Sequence, residues 1–154
     1  MKYVVTGGAG FIGSHIVKFL VEKKHTVSVI DNLHVGTKKR LESAIGKIDF
    51  YQTDILNFNE VEQIVQKSDG VFHQAALTSL PESFEKPEEY YNVNVNGTEN
   101  IFLSNPNKVF HSLALFSQLQ VKAYSFPFFL SSVFLSSLKF KIVSISFPLS
   151  TFMP

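Results

Sequence analysis

The residues best placed to do chemistry lie close to the amino terminus. Thr6-Gly7-Gly8-Ala9-Gly10-Phe11-Ile12-Gly13 satisfies two glycine spacings at once, Gly8-x-Gly10-x-x-Gly13 and Gly7-x-x-Gly10-x-x-Gly13. Glycine in a turn permits positive φ, and glycine at a helix start lets backbone N–H groups approach a pyrophosphate. A third glycine lets the helix lie close against the preceding strand, and the helix N-terminus adds partial positive charge where phosphates would sit. Glycine-rich turns are common, so a tight turn that binds nothing is the competing reading. Context argues against it. A strand-like run precedes the motif, an amphipathic run follows it, and Asp31 stands 18 residues after Gly13 at the end of the next strand-like run. A carboxylate there can accept both hydrogen bonds from an adenosine ribose and would repel a 2′-phosphate, which favours NAD over NADP. Lys38-Lys39-Arg40 argues mildly the other way, since it could neutralise a phosphate if its loop folded back. The plainer reading of that cluster is a solvated basic helix start. His15 and His73 lack the Asp/His/Glu spacing of a ligand set, so no metal site is expected.

The elements that must hold these residues alternate between two periodicities. Tyr3-Val4-Val5-Thr6 is a short apolar run of the kind that forms a buried parallel strand. Ile12, Ile16, Val17, Leu20 and Val21 then recur at three- and four-residue spacing, with charged residues between or beyond them, as on a helix packed against a sheet. Thr26 to Ile30 reads as a second strand, Ile48 to Gln52 as a third and Gly70 to His73 as a fourth. Asn59 is a candidate cap for a helix through Val61, Ile64 and Val65, with Glu60 and Glu62 in its positive first turn. A further helix is expected from about Pro87 to Leu103. Strand–helix alternation of this kind implies a parallel α/β sheet with helices on both faces.

Composition divides the chain. Its 154 residues are enough for one compact domain, 45% hydrophobic and 18% charged, with a formal net charge of +1. That balance excludes a wholly disordered chain and gives no reason to expect a nucleic-acid partner. With no cysteine, disulfides, thiolate metal sites and cysteine nucleophiles are excluded. Met1 stands next to the first strand-like run and leaves no room for a signal peptide, so the expected compartment is the cytoplasm. After Ser104 the character changes: all 13 acidic residues and all 8 glycines precede it, and nine of the 16 phenylalanines follow it. We therefore expect residues 1–104 to form one domain and residues 105–154 to be an atypical Phe/Ser-rich tail.

Residues 1–104 resemble the amino-terminal part of the extended short-chain dehydrogenase/reductase superfamily, in particular its NAD-dependent epimerase/dehydratase family of the UDP-glucose 4-epimerase type. The segments that carry the resemblance are Val5 to His15, Val29-Ile30-Asp31-Asn32-Leu33, Thr53-Asp54-Ile55, His73-Gln74-Ala75-Ala76 and Asn94-Val95-Asn96-Gly97-Thr98. The resemblance implies a Rossmann-type doubly wound parallel sheet, here truncated, and NAD as cofactor. It implies that Gly7, Gly10, Phe11 and Ile12 line the pyrophosphate and that Asp31 holds the adenosine ribose with Asn32 beside it. Asp54 and Ile55 would edge the adenine, Ala75 and Ala76 would pass under the cofactor, and Asn94 would face the cofactor site. Ser79 and Ser83 match serines near the reacting sugar, although a serine beside a loop proline equally serves as a turn or cap residue. A nucleotide-sugar partner follows from the resemblance alone.

What the family uses for chemistry is not found. Its Tyr-x-x-x-Lys lowers a phenol's pKa so that the phenolate takes a proton from a sugar hydroxyl while hydride passes to NAD. Four residues beyond Tyr3, Tyr51, Tyr90, Tyr91 and Tyr124 stand Gly7, Ile55, Asn94, Val95 and Phe128, none of them lysine. No catalytic residue is assigned, and four parallel strands are expected, with Val109-Phe110-His111-Ser112 a poor substitute for the family's fifth. The function classes left open are an active epimerase or dehydratase, a non-catalytic dinucleotide-binding module, and a remnant without function. For the tail three readings stand. One is a membrane helix over Ala123 to Leu138, short of the roughly 18–20 residues required. Another is a diverged end to the sheet with strands at Val121 to Tyr124 or Phe140 to Ile145. The third, which best fits the sudden loss of Gly, Asp and Glu, is an out-of-frame or non-homologous stretch. Phe126 to Leu130 and Val133 to Leu135 would then cover an exposed sheet edge or aggregate.

Overall fold

The computed structural model describes residues 1–105 and the strand backbone at 109–112. In chain order the elements are β1 (Lys2–Thr6), α1 (Phe11–Glu22), β2 (Thr26–Ile30), a 3₁₀ segment (Lys38–Ala44), β3 (Ile48–Tyr51), α2 (Phe58–Val65) and β4 (Gly70–His73). They continue with α3 (Leu80–Glu85), α4 (Pro87–Tyr91), a π-helical segment (Asn92–Gly97), α5 (Thr98–Ser104) and β5 (Val109–Ser112). The strands form one sheet in the order β3-β2-β1-β4-β5, with every neighbouring pair parallel. Strand order reverses between β1 and β4, and ligands of such sheets bind outside the carboxyl ends of the strands at that switch point.

Side-chain alternation explains why these strands read as unbroken apolar runs. Val5, Val27 and Val29 face one side, where they pack with Val17 and Leu20 of α1 and with Leu41 and Ala44 of the 3₁₀ segment. Val4, Ile30 and Val71 face the other, against Val61 and Val65 of α2 and Ile101 of α5. Both faces are covered, so neither carries a polar stripe. Burial of each such side chain contributes about 1.5–3 kcal/mol. That packing, rather than intrinsic propensity, holds α2 and α5, whose eight and seven residues are too few to be helical alone in water.

Several expectations need correction. The sheet has five strands rather than four, because Val109–Ser112 adds in parallel to β4, with a register shift between Val71 and Phe72. Only Val109 and Phe110 are apolar in that strand, too short a run to be read as one. The third strand ends at Tyr51, not Gln52. Helix α2 is capped at Asn57 rather than Asn59, with the Val61 N–H donating to the Asn57 carbonyl at 3.1 Å, so Asn59 lies inside its first turn and Glu62 beyond it. The helix expected from Pro87 to Leu103 is α4 and α5 joined by a π-helical turn, and α3 precedes it unforeseen. The proposed spans and strands of the tail, Ala123 to Leu138, Val121 to Tyr124 and Phe140 to Ile145, lie outside the described residues, as do Phe126 to Leu130 and Val133 to Leu135.

Candidate functional site

The glycine turn leaves β1 at Thr6 and closes on itself, the Gly7 N–H donating to the Ile30 carbonyl at 2.8 Å and the Gly10 N–H to the Gly7 carbonyl at 3.0 Å. Gly7 adopts φ +64°, and a Cβ there would come within 2.6 Å of the Ala75 nitrogen. A Cβ on Gly13 would overlap the Gly7 carbonyl. The turn, the first turn of α1 and the loop after β4 therefore meet backbone to backbone, which only glycine allows at these two positions. Helix α1 starts from Gly10 with no side-chain cap and no acidic residue in its first turn. Its leading N–H groups and positive end are left for an anion. Phe11 and Ile12 stand exposed beside them.

Asp31, at the tip of β2, is buried, and both its oxygens are engaged. Oδ2 accepts the Ala9 N–H at 2.8 Å and Oδ1 accepts the Leu33 N–H at 2.8 Å. A carboxylate oxygen has more than one acceptor direction, so ribose hydroxyls can still be received. This strut between the glycine turn and the second strand has no signature in residue spacing. The loop that follows folds back on the turn: the Thr37 N–H donates to the Ala9 carbonyl at 3.0 Å, and a Cβ on Gly36 would meet Ala9 and Asp31 at 2.9 Å. Of the basic cluster, Lys38 places its ammonium over the Phe50 ring, 5.0 Å from the centroid, while the Arg40 guanidinium lies 3.5 Å from the Ala9 carbonyl.

Asn32 and Asp54 come together across the tips of β2 and β3, with the Asn32 amide donating to Asp54 Oδ2 at 2.8 Å. Asp54 Oδ1 accepts the Leu56 N–H at 2.9 Å. Ile55 turns its side chain into the core against Gly97. Asn100, which sequence reasoning missed, donates to the Ile55 and Leu56 carbonyls at 3.0 and 3.2 Å and fixes this turn from α5.

At the end of β4, Ala75 and Ala76 are half-buried where the loop runs against Gly7. His73 is buried between Thr6 and Thr98, its Nδ1 2.6 Å from Thr6 Oγ1 and its Nε2 2.9 Å from Thr98 Oγ1. Burial lowers its pKa from 6.5 to about 4. Asn94, in the π-helical turn, grips the Leu77 backbone with both ends of its amide, accepting from the N–H and donating to the carbonyl, each at 2.9 Å. The Ser83 hydroxyl donates within α3 to the Leu80 carbonyl at 2.7 Å, and Ser79 is exposed at the start of that helix. Below them Tyr90 donates to Glu82 at 3.1 Å, burial first and then that bond raising the phenol's pKa. Lys86 holds Glu82 below the usual carboxylate range. The His15 ring donates to the Phe11 carbonyl at 2.8 Å. Among the described residues no group of three or more His, Cys, Asp or Glu side chains is arranged to hold a metal ion.

Comparison with known proteins follows the same outline. The family model described as the NAD dependent epimerase/dehydratase family matches residues 3–108. The chain is 44% identical over 99 residues to a UDP-glucose 4-epimerase of Lactobacillus helveticus, covering 63% of this chain and 29% of that protein. It is 40% identical over 100 residues to a UDP-N-acetyl-alpha-D-glucosaminuronate decarboxylase of Bacillus cytotoxicus, covering 65% and 31%. Among solved structures it superimposes on a Stenotrophomonas UDP-glucose-4-epimerase with bound NAD and formylated UDP-arabinopyranose. The TM-score is 0.63 at 33% identity, over 68% of this chain and 33% of that one. The chain thus spans about a third of the length of the curated relatives it matches. Its five-stranded parallel sheet, its glycine turn and the match over residues 3–108 place the chain in the NAD-dependent epimerase/dehydratase family.

Proposed function

We propose that this chain binds NAD through residues 1–104, as the dinucleotide-binding part of a nucleotide-sugar epimerase or dehydratase. The observation that carries the reading is the junction at the switch point, where Gly7, Ala9, Asp31 and Ala75 meet through backbone contacts and one buried carboxylate. Three properties of that junction suit a dinucleotide. The uncapped start of α1 presents N–H groups for a pyrophosphate beside Gly10, Phe11 and Ile12. Asp31 stands where it can receive ribose hydroxyls, with Asn32 next to it. Asp54 and the Ile55 N–H can edge an adenine, and the small Ala75 and Ala76 leave room for a ring above the loop. Asn94 acts from behind, by setting the path of Leu77. NAD is preferred to NADP because the Asp31 carboxylate would face a 2′-phosphate. When bound, NAD supplies a hydride acceptor.

On this reading the substrate class is a UDP-sugar, by kinship with relatives whose names and complexes carry one. The 154 residues hold no Tyr-x-x-x-Lys, so this chain by itself binds the dinucleotide without turning over sugar. The groups that this reading uses all lie within residues 1–104, and β5 at Val109–Ser112 extends the same sheet beyond them. Among the described residues no helix is long and apolar enough to cross a membrane, and the cytoplasm is the compartment we propose.

The test is NAD titration by calorimetry on the whole chain and on Gly10→Ala. A Cβ at residue 10 meets only the Gly7 carbonyl, at 3.1 Å, which must shift by a few tenths of an ångström, and alanine is the poorer cap residue, at about 1 kcal/mol. The methyl group stands at the helix start, where the phosphates must approach. Affinity, read well below the variant's melting temperature, should fall at least about tenfold, while that temperature drops by only about 4–8 °C. A folded parent that gives no heat with millimolar NAD ends the proposal.

A further inference from the structure

The Thr6 hydroxyl is the hub of the buried junction, and its donor–acceptor accounting has one solution. Thr6 Oγ1 accepts the backbone N–H of Gln74 and of Ala75, each at 3.2 Å. With both lone pairs taken, its own proton has to go to His73 Nδ1, 2.6 Å away. That nitrogen is therefore an acceptor, the neutral ring carries its proton on Nε2, and Nε2–H donates to Thr98 Oγ1 at 2.9 Å. Gln74 keeps a second acceptor in the Thr6 carbonyl at 3.0 Å, so Ala75 is the amide that depends on the hydroxyl. Ala75 is also the residue against which Gly7 packs.

We propose that His73 is a positioning residue for the cofactor: as the Nε2–H tautomer it orients the Thr6 hydroxyl, which pins the Ala75 backbone against the glycine turn and so sets the floor of the dinucleotide site. The ring touches neither ligand nor solvent; it acts through Thr6. The two halves of the imidazole have different tasks. Nδ1 serves the site, and Nε2–H ties β4 to α5 through Thr98. This inference rests on the reading of the site as an NAD cradle.

Substitutions separate the two halves. In His73→Asn the side-chain carbonyl replaces Nδ1 as acceptor for Thr6 and the tie to Thr98 is lost. In His73→Gln the terminal amide replaces Nε2–H and the acceptor for Thr6 is lost. Thr6→Val removes the hub, Thr6→Ser restores it, and Thr98→Val cuts only the outer tie. NAD affinity is read by titration well below each variant's melting temperature, and Ala75 amide exchange is read without ligand. We expect His73→Gln and Thr6→Val to lose about tenfold or more in NAD affinity and to exchange the Ala75 amide faster. His73→Asn, Thr6→Ser and Thr98→Val should stay within about threefold of the parent, although all lose some stability. A structural role alone predicts losses that follow melting temperature and ignore which half of the ring is kept; that pattern, or unchanged affinity in His73→Gln and Thr6→Val, overturns the proposal. Should those two variants not fold, an Ala75 amide in the parent that exchanges as fast as that of exposed Thr78 overturns it equally. A folded parent that takes no NAD refutes the cradle itself, whereas a parent that binds while the five variants bind alike refutes only the role of His73.

Discussion

At the scale of single residues, the candidate site is built from groups that also hold the fold together. The place of Asp31 at the end of the second strand was legible in the sequence. Its bond to the Ala9 N–H was not, because that contact joins residues 22 positions apart and exists only once β1 and β2 are paired. His73 shows the energetic side of such burial. Its pKa falls from 6.5 to about 4 through desolvation, so between those values the unfolded chain binds a proton that the folded chain refuses. A group depressed in this way contributes stability above its unfolded pKa and loses it as pH falls. The stability of the parent should therefore decline from about pH 6.5 to about pH 4, by roughly 3 kcal/mol from this residue. His73→Asn, which has no proton to gain, should be less stable at pH 7.5 and flatter across that window. Denaturant melts at half-unit intervals measure this, and parallel parent and variant slopes would contradict it.

At the scale of elements, periodicity revealed what packing alone decides and missed what local hydrogen bonds decide. The first four strands and α1 were readable because their apolar spacing matches the two covered faces of the sheet. The π-helical turn was not, because the amide of Asn94 gripping the Leu77 backbone leaves no trace in hydrophobic spacing. Nor was the end of α1. There the Lys24 N–H donates to the Val21 carbonyl at 2.9 Å and the His25 N–H to the Leu20 carbonyl at 3.0 Å, a reversal that requires positive φ at residue 24. Lysine occupies that position at φ 60°, where a glycine is ordinarily found, and an L side chain there is strained by about 1–2 kcal/mol. Part of that gain is offset by the greater freedom of glycine in the unfolded chain. Lys24→Gly should thus raise unfolding free energy by about 0.5–1 kcal/mol without changing NAD affinity, since the position lies at the opposite end of α1 from the glycine turn. A drop in denaturation midpoint would mean that the Lys24 side chain supports the fold in some other way.

At the scale of the molecule, the carboxyl ends of β1, β2 and β4 each send out a loop, and these loops are fastened to one another rather than to a common helix. Asp31 ties the second to the first, and Thr6 ties the third to the first. The parallel arrangement of the strands followed from strand–helix alternation, whereas the fifth strand at Val109–Ser112 did not, being too short and too polar to announce itself. On the proposed reading a dinucleotide laid across this edge would touch all three loops, which would couple its binding energy to the global fold. At a NAD concentration 100-fold above Kd the folded state gains about 2.7 kcal/mol. For a domain of this size that corresponds to a rise in melting temperature on the order of 10 °C. UDP-glucose alone should produce no such rise, because the proposed reading assigns these three loops to the dinucleotide. UDP-glucose together with NAD should produce no epimerised sugar, because no Tyr-x-x-x-Lys occurs in the 154 residues. Thermal scans with each ligand, followed by chromatography of the sugar, distinguish the outcomes. A shift with NAD and no product describes a binding module; product formation would mean that some other side chain of this chain takes the sugar's proton.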